Sequence, residues 1–245
     1  MTRHTPFILT IWLVCTSCSD QTAEKTITDQ TVRDSSSTIN FSTDTSSLYS
    51  LSNATGDEFS KAEINFKDKI LYDSTNLHKN AGTIKMQTDS KTKPFVTFTD
   101  TLPNTDETEI RDYQYFGQFP EIGVYVVHLD YYEGSEYILV HKSTGIQTSV
   151  WNKPKLSPSN KFIANLSPAY GMEGVPNGIQ IWKVSKDRKA TSKHIEIDQL
   201  VWVPYEFYWE TDNTLVLHAN TVEKYLEGEG RPNKKDGFFL RLTIK

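Results

Sequence analysis

The chain has 245 residues, with 26 Lys and Arg against 31 Asp and Glu, a formal net charge of −5, and 37% hydrophobic residues, 12% of the chain being aromatic. That length suits one domain, or one domain with a tail, and the apolar fraction is enough to build a core. The mild acidity, without a basic patch or stripe, excludes a nucleic-acid binder and favours solubility without naming a partner.

The first element is short and apolar. Thr2-Arg3-His4 opens with positive charge, and Phe7 to Val14 (FILTIWLV) follows as a mostly apolar run. Such a run has signal-peptide length and is too short to span a bilayer. It leads into Cys15-Thr16-Ser17-Cys18. This segment resembles the lipobox of bacterial lipoproteins, with Thr16 and Ser17 in the two positions before the cysteine and Cys15 where the pattern usually has Leu. The resemblance implies that residues 1–18 are a signal peptide with lipobox, and that Cys18 is lipidated, becomes the mature N-terminus and holds the protein to a membrane. The acyl chains on such a cysteine meet the two-signal requirement for stable anchoring. Ser19 occupies the place where lipoproteins of enteric bacteria carry Asp for retention. The resemblance therefore implies an exported outer-membrane lipoprotein, facing the periplasm or the cell surface. The same segment also fits an ordinary cleaved signal, cut after Ser17 or Ser19, which gives a soluble periplasmic or secreted protein. Both cysteines of the chain lie here. The remainder therefore has no disulfide and depends on its core.

From Ser19 to about Ser60 the composition is dominated by Ser, Thr, Asp and Asn, with scattered hydrophobes (Ile27, Val32, Ile39, Phe41). A segment of this kind buries too little apolar surface to offset its ordering entropy. Residues 19–60 are accordingly expected to form a flexible tether, and 61–245 a β-rich domain. Period-two pairs then mark short strands: Ile64 and Phe66, Ile70 and Tyr72, Ile84 and Met86, Phe95 and Phe98. Gly123 to Gly145 (GVYVVHLDYYEGSEYILVHKSTG) predicts a hairpin rich in Val, Ile and Tyr, turning at Gly134-Ser135, where a type II′ turn wants glycine first. Further strands are expected at 162–166, 179–184, 195–197, 207–209, 215–218 and 238–244. No amphipathic helix of useful length is evident.

A weak internal repeat runs through the second half. Ser157 to Ser167 (SPSNKFIANLS) aligns with Trp209 to Ala219 (WETDNTLVLHA), and each is followed by a second strand, GIQIWKV from Gly178 and GFFLRLT from Gly237. The 123–142 hairpin fits the same scheme. From about Tyr113 to Lys245 the chain thus resembles the blades of TolB-type or WD40-like β-propellers, and Ser157-Pro158-Ser159-Asn160-Lys161 is a variant of the turn that opens a TolB-type blade strand. At about 40–45 residues per blade the chain holds roughly four. The expected fold is all-β, with antiparallel blade-like repeats in a small or partial β-propeller. The alternative is an open β-sandwich-like stack.

Three groups of residues carry candidate chemistry. With the turn at Gly134-Ser135, His128 falls opposite His141, with Asp130 on the same face. Two imidazoles and a carboxylate are suitable ligands for a divalent metal such as zinc, while a mixed sheet face without a ligand explains the same pattern. Trp202, Tyr205 and Trp209 form an aromatic cluster that suits a platform for sugar or peptide, or core packing between blades. The acidic loop Glu227-Gly228-Glu229-Gly230 lacks the regular spacing of a calcium loop. G-x-S-x-G, H-E-x-x-H and P-loop motifs are absent. No cofactor follows from the sequence beyond that possible metal. Two functions remain: a lipid-anchored envelope module that binds a protein, peptide or glycan, and a cryptic metal-dependent envelope hydrolase using His128, Asp130 and His141.

Overall fold

The computed structural model describes residues 46–73, 77–101 and 106–245. Contacts divide the chain into Met1–Ile39 and Asn40–Lys245, and every described residue belongs to the second unit. The expected signal segment, Cys18 and most of the expected tether lie outside the described residues.

A strand β1 (Tyr49–Ala54) and a helix α1 (Gly56–Asn65) precede a hairpin of β2 (Thr83–Gln87) and β3 (Phe95–Thr99). Three antiparallel meanders follow. The first comprises β4 (Arg111–Phe119), β5 (Val124–Tyr131), β6 (Gly134–His141) and β7 (Gln147–Val150). The second comprises β8 (Lys155–Leu156), β9 (Phe162–Pro168), β10 (Asn177–Val184) and β11 (Thr191–Asp198). The third contains β12 (Trp202–Trp209) and β13 (Thr214–Thr221), then a short helix α2 (Val222–Glu227), then β14 (Phe238–Ile244). Its fourth strand is β1, which pairs antiparallel to β14 from Tyr49↔Ile244 to Ala54↔Phe239. Two ends of the described chain thus share one sheet. Among the described residues no helix is long and apolar enough to cross a membrane.

The repeat read from the sequence is real in three dimensions. β5, β9 and β13 are each the second strand of a sheet, and β6, β10 and β14 each the third. Glycines at the start of two of the third strands, Gly178 within β10 and Gly237 just before β14, are there for a steric reason. A Cβ at Gly178, where φ is +154°, would lie 1.8 Å from the Ile197 carbonyl oxygen, and one at Gly237 would lie 2.3 Å from His218 Nε2.

The sheets stack face to face in a row. Val124, Val126 and Leu139 of the first meander pack on Leu156, Ile163 and Val184 of the second. The second meets the third through Ile179, Ile181, Leu215, Leu217 and Leu240. The far face of the first is covered by Ile84, Met86, Val96 and Phe98 of the hairpin. The far face of the third is covered by Phe59 and Ala62 of α1, seated on Val216 and Phe239. Strands buried on both faces read as continuous apolar runs, as in LVLHA of β13, whereas β3 alternates because its outer face is wet. That outer face, like the outer face of α1, is exposed, so the row ends at the helix on one side and at the hairpin on the other. Among the described residues the fold is all-β, with several antiparallel blade-like sheets and no closed barrel, which agrees with a blade-like or sandwich-like arrangement.

Residues 66–73 strap the open edges of the first strands, where unpaired backbone would otherwise invite another chain. Phe66 lies against Tyr208 of β12, with ring centroids 5.7 Å apart. Asp68 accepts from Lys153 Nζ at 2.9 Å just before β8, and Leu71 exchanges backbone hydrogen bonds with Gln118 of β4 at 2.8 and 3.1 Å. Under the strap, the Lys155 ammonium donates to the Phe207 carbonyl at 2.6 Å and sits 3.9 Å from the Tyr208 ring centroid. Burial pushes its pKa down to about 8.

These contacts correct three sequence-based expectations. The tether does not run to residue 60, because β1 and the first half of α1 occupy its C-terminal end. Ile64 and Phe66 belong to the end of α1 and its cap rather than to a strand. Ile70 and Tyr72 flank a single bridge residue in the strap, Leu71. The helix has a capping box. Thr55 Oγ1 accepts from the Glu58 amide, and Glu58 accepts from the Thr55 amide at 2.8 Å. Glu58 also accepts from Arg241 at 2.8 Å, which is the leading reason its pKa falls to about 2.

Removing the cap hydroxyl with Thr55→Ala is expected to cost about 1 kcal/mol in urea unfolding. The Glu58 contribution has a defined pH window. With the folded pKa below the unfolded value of 4.5, its stabilisation is complete above that value and is lost as pH falls towards about 2. Glu58→Gln should therefore be less stable than wild type at pH 7 and converge with it near pH 2.

Candidate functional site

The residues singled out in the sequence are placed differently from expectation. The β5–β6 turn has Tyr132 and Glu133 at its centre, with Glu133 at φ +60°, and Gly134 is already paired with Tyr131. A Cβ at 134 would lie 2.7 Å from the Tyr131 ring, which would have to shift to admit it. Moving the turn two residues earlier moves every cross-strand partner by four. His128 therefore faces Tyr137, and His141 faces Val124. The two histidines share a sheet face but stand four residues apart along it, roughly 13 Å at strand rise. His128 Nδ1 lies 3.4 Å from Asp130 Oδ2. His141 is fully buried, and burial lowers its pKa. The expected metal set His128, Asp130 and His141 is not brought together, and among the described residues no group of three His, Cys, Asp or Glu is placed to hold a metal ion.

The expected platform is dismantled by burial. Trp202 and Trp209 are 3% and 2% exposed and belong to the core between the second and third meanders. Trp209 Nε1 donates to the Lys155 carbonyl at 3.0 Å. Tyr205 sits at a register shift of β12, with its ring 4.4 Å from that of His218. Burial holds the His218 imidazole neutral to about pH 4. The sheet is covered on both faces, by the second meander and by α1, so no face of β12 was left to display aromatics.

A different site emerges at the hairpin end. A groove of about 490 Å³ is lined by Lys85 and Gln87 of β2, Phe95 of β3, Gln118 of β4, Tyr125 of β5, Lys142 just after β6, and Asp73 and Leu77. Its size lies in the range of small-molecule sites. The lining side chains are placed for local reasons. Lys85 and Gln87 are the outward positions of an alternating strand whose inward ones, Ile84 and Met86, fill the core. Lys142 is fixed by its own backbone, which donates to the Gly123 carbonyl at 2.8 Å and accepts from the Asp89 amide at 2.7 Å.

The side chains form a chain of contacts. Asp73 Oδ2 accepts from Gln118 Nε2 at 2.7 Å, which orients the carboxamide so that Gln118 Oε1 accepts from Lys142 Nζ. The Lys142 ammonium lies 4.3 Å from the Tyr125 ring centroid, and that of Lys85 lies 4.0 Å from the ring centroid of Phe95. Ammonium groups over aromatic faces are attracted by the ring quadrupole. Tyr115 supports Tyr125 edge-on at 6.2 Å, and its hydroxyl reaches Asp73 at 3.5 Å. Burial raises the pKa of both phenols, with Asp73 adding to the rise, and burial lowers that of Lys142. The groove thus holds two positive heads on aromatic seats, with one carboxylate set behind a carboxamide. Two ammonium groups in one groove can meet negative charge on a polar ligand.

The chain matches no protein-family model, and no significant similarity to a curated protein or to a solved structure is found.

Sequence reasoning missed the groove because its residues come from six separate segments. The one local signal was the alternation of β2, which put Lys85 and Gln87 on a wet face. Asp73→Asn is expected to lower the ionisation pH of Tyr115 and, less, of Tyr125. Titration of ring-carbon signals in tyrosine-labelled protein measures it.

Proposed function

We propose that this chain is a lipid-anchored binding module of the cell envelope whose groove takes a small polar ligand bearing a carboxylate, from an acidic sugar or a peptide end. The observation that carries the ligand class is the pairing of Lys85 and Lys142 on Phe95 and Tyr125 in one groove. A carboxylate between two ammonium groups gains charge-assisted hydrogen bonds, and the adjoining aromatic surface accepts the apolar face of a sugar ring or side chain. The anchor rests on the lipobox resemblance at Cys18, with the outer membrane as its destination. Recognition without an evident catalytic pair suits a module that captures envelope glycan or peptide.

The groove reading is tested by calorimetry on the full chain with glucuronate against glucose, and N-acetylglycine against its amide. At least one acid is expected to bind while its neutral partner does not, and Lys142→Met to weaken that binding about tenfold. Equal binding of acid and neutral forms, or no binding of either acid, contradicts it. Which acid binds separates glycan from peptide. Because burial lowers the Lys142 pKa, affinity should fall with rising pH before an ordinary lysine would lose its proton. The anchor is tested by Cys18→Ser, which should release the protein from membranes. An unchanged membrane fraction contradicts the anchor alone.

A further inference from the structure

The groove beside the hairpin carries a hydrogen-bonding group that its own contacts leave unused. Three of its polar side chains are committed to one another: Asp73 accepts from Gln118, and Gln118 accepts from Lys142. The Gln87 carboxamide lines the same groove and has no hydrogen-bond partner among the described residues. It stands two positions along β2 from Lys85, on the same face and roughly 7 Å away at strand rise. Across the hairpin Gln87 faces Phe95, which is 45% exposed and whose ring centroid lies 4.0 Å from the Lys85 ammonium. An ammonium, an open ring and a free carboxamide are thus gathered on one short stretch of the hairpin.

The charges place the acid and leave Gln87 for something neutral. The carboxylates around the groove, Asp73 and Asp89, act on Lys142 and Tyr125 of the sheet. Lys85 has no ion pair among the described residues. A ligand carboxylate drawn to the two ammonium groups sets the adjoining part of the ligand over Phe95 and beside Gln87. A carboxamide offers two N–H donors and a carbonyl acceptor, so it pairs with a hydroxyl or an amide and gains nothing from a methylene. An apolar body lying there would strip water from Gln87 without replacing its hydrogen bonds. A buried polar group discriminates by about ten-thousandfold or more, but Gln87 is exposed and water competes, so the effect here is about tenfold.

We infer that Gln87 is a specificity-determining residue of the groove, reading a hydroxyl or amide that lies within one sugar ring or one peptide unit of the ligand's carboxylate. The inference rests on the carboxylate reading of the groove, and adds that the body of the ligand is polar on the side facing β2. Lys85 and Lys142 select the acid, and Gln87 selects the group beside it.

The test is calorimetry on the full chain with two matched pairs of acids: glucuronate with cyclohexanecarboxylate, and N-acetylglycine with pentanoate. Within each pair the carboxylate and the ring or chain length are shared, and the hydroxyls or the amide are not. At least one polar acid is expected to bind, and Gln87→Leu to weaken it about tenfold while leaving the affinity of its apolar partner unchanged. Lys142→Met should weaken both members of that pair alike, because it acts on the shared carboxylate. Gln87 is exposed, so Gln87→Leu should keep the wild-type unfolding curve, and Gln87→Asn, which restores a carboxamide, should recover part of the lost affinity. An affinity for the polar acid that Gln87→Leu leaves unchanged, or a loss shared equally by both members of the pair, overturns the inference while the carboxylate reading stands. So does binding of the apolar acids alone. No binding of any of the four acids overturns both. The pair that responds tells a sugar acid from a peptide end.

Discussion

A row of stacked sheets has two end faces, and each must be covered by something that is not another sheet of the same kind. Here α1 covers one and the β2–β3 hairpin the other. Leaving Val216 and Phe239, or Val127 and Val140, open to water would forfeit roughly 25 cal/mol for every Å² of apolar surface. The two covers also explain why the blades do not close into a ring, since the faces that would meet are already occupied. The edges are treated by the same logic. The strap over β4, β8 and β12 satisfies backbone with the Leu71–Gln118 bridge and carries the Asp68–Lys153 pair across the gap between meanders.

The groove beside the hairpin is a by-product of that cover. The hairpin lies on the first meander through Ile84, Met86, Val96 and Phe98, so its polar positions approach the end of β6 and the start of β5 without filling the space between. Lys142 and Tyr125 contribute from the sheet, Lys85 and Phe95 from the hairpin, and Asp73 from the end of the strap.

Much of the architecture was legible in the chain. Period two located β2, and the aligned segments SPSNKFIANLS and WETDNTLVLHA correctly paired β9 with β13 as equivalent strands. What failed did so for identifiable reasons. Glycine at 134 suggested the turn, but it already pairs with Tyr131 as the first residue of β6, and a two-residue error in the turn separated His128 from His141. The aromatic cluster of β12 looked available because a single strand does not reveal that both of its faces are covered. The helix α1 carries only Phe59 and Ala62 on its buried side, too narrow a stripe for periodicity. Its readable signal was the capping box Thr55-x-x-Glu58. β1 was hidden in a Ser-rich stretch, since its strand character comes from pairing with β14, the most distant partner in the described chain.

The most direct test of the groove as the ligand site is hydrogen–deuterium exchange on the full chain with and without the acid that binds. Protection confined to β2, β3, the segment around Gln118 and residues near Lys142 is the predicted result. Protection at the 169–176 loop and α2 instead, or spread evenly over all sheets, would contradict the assignment of the ligand to the hairpin groove.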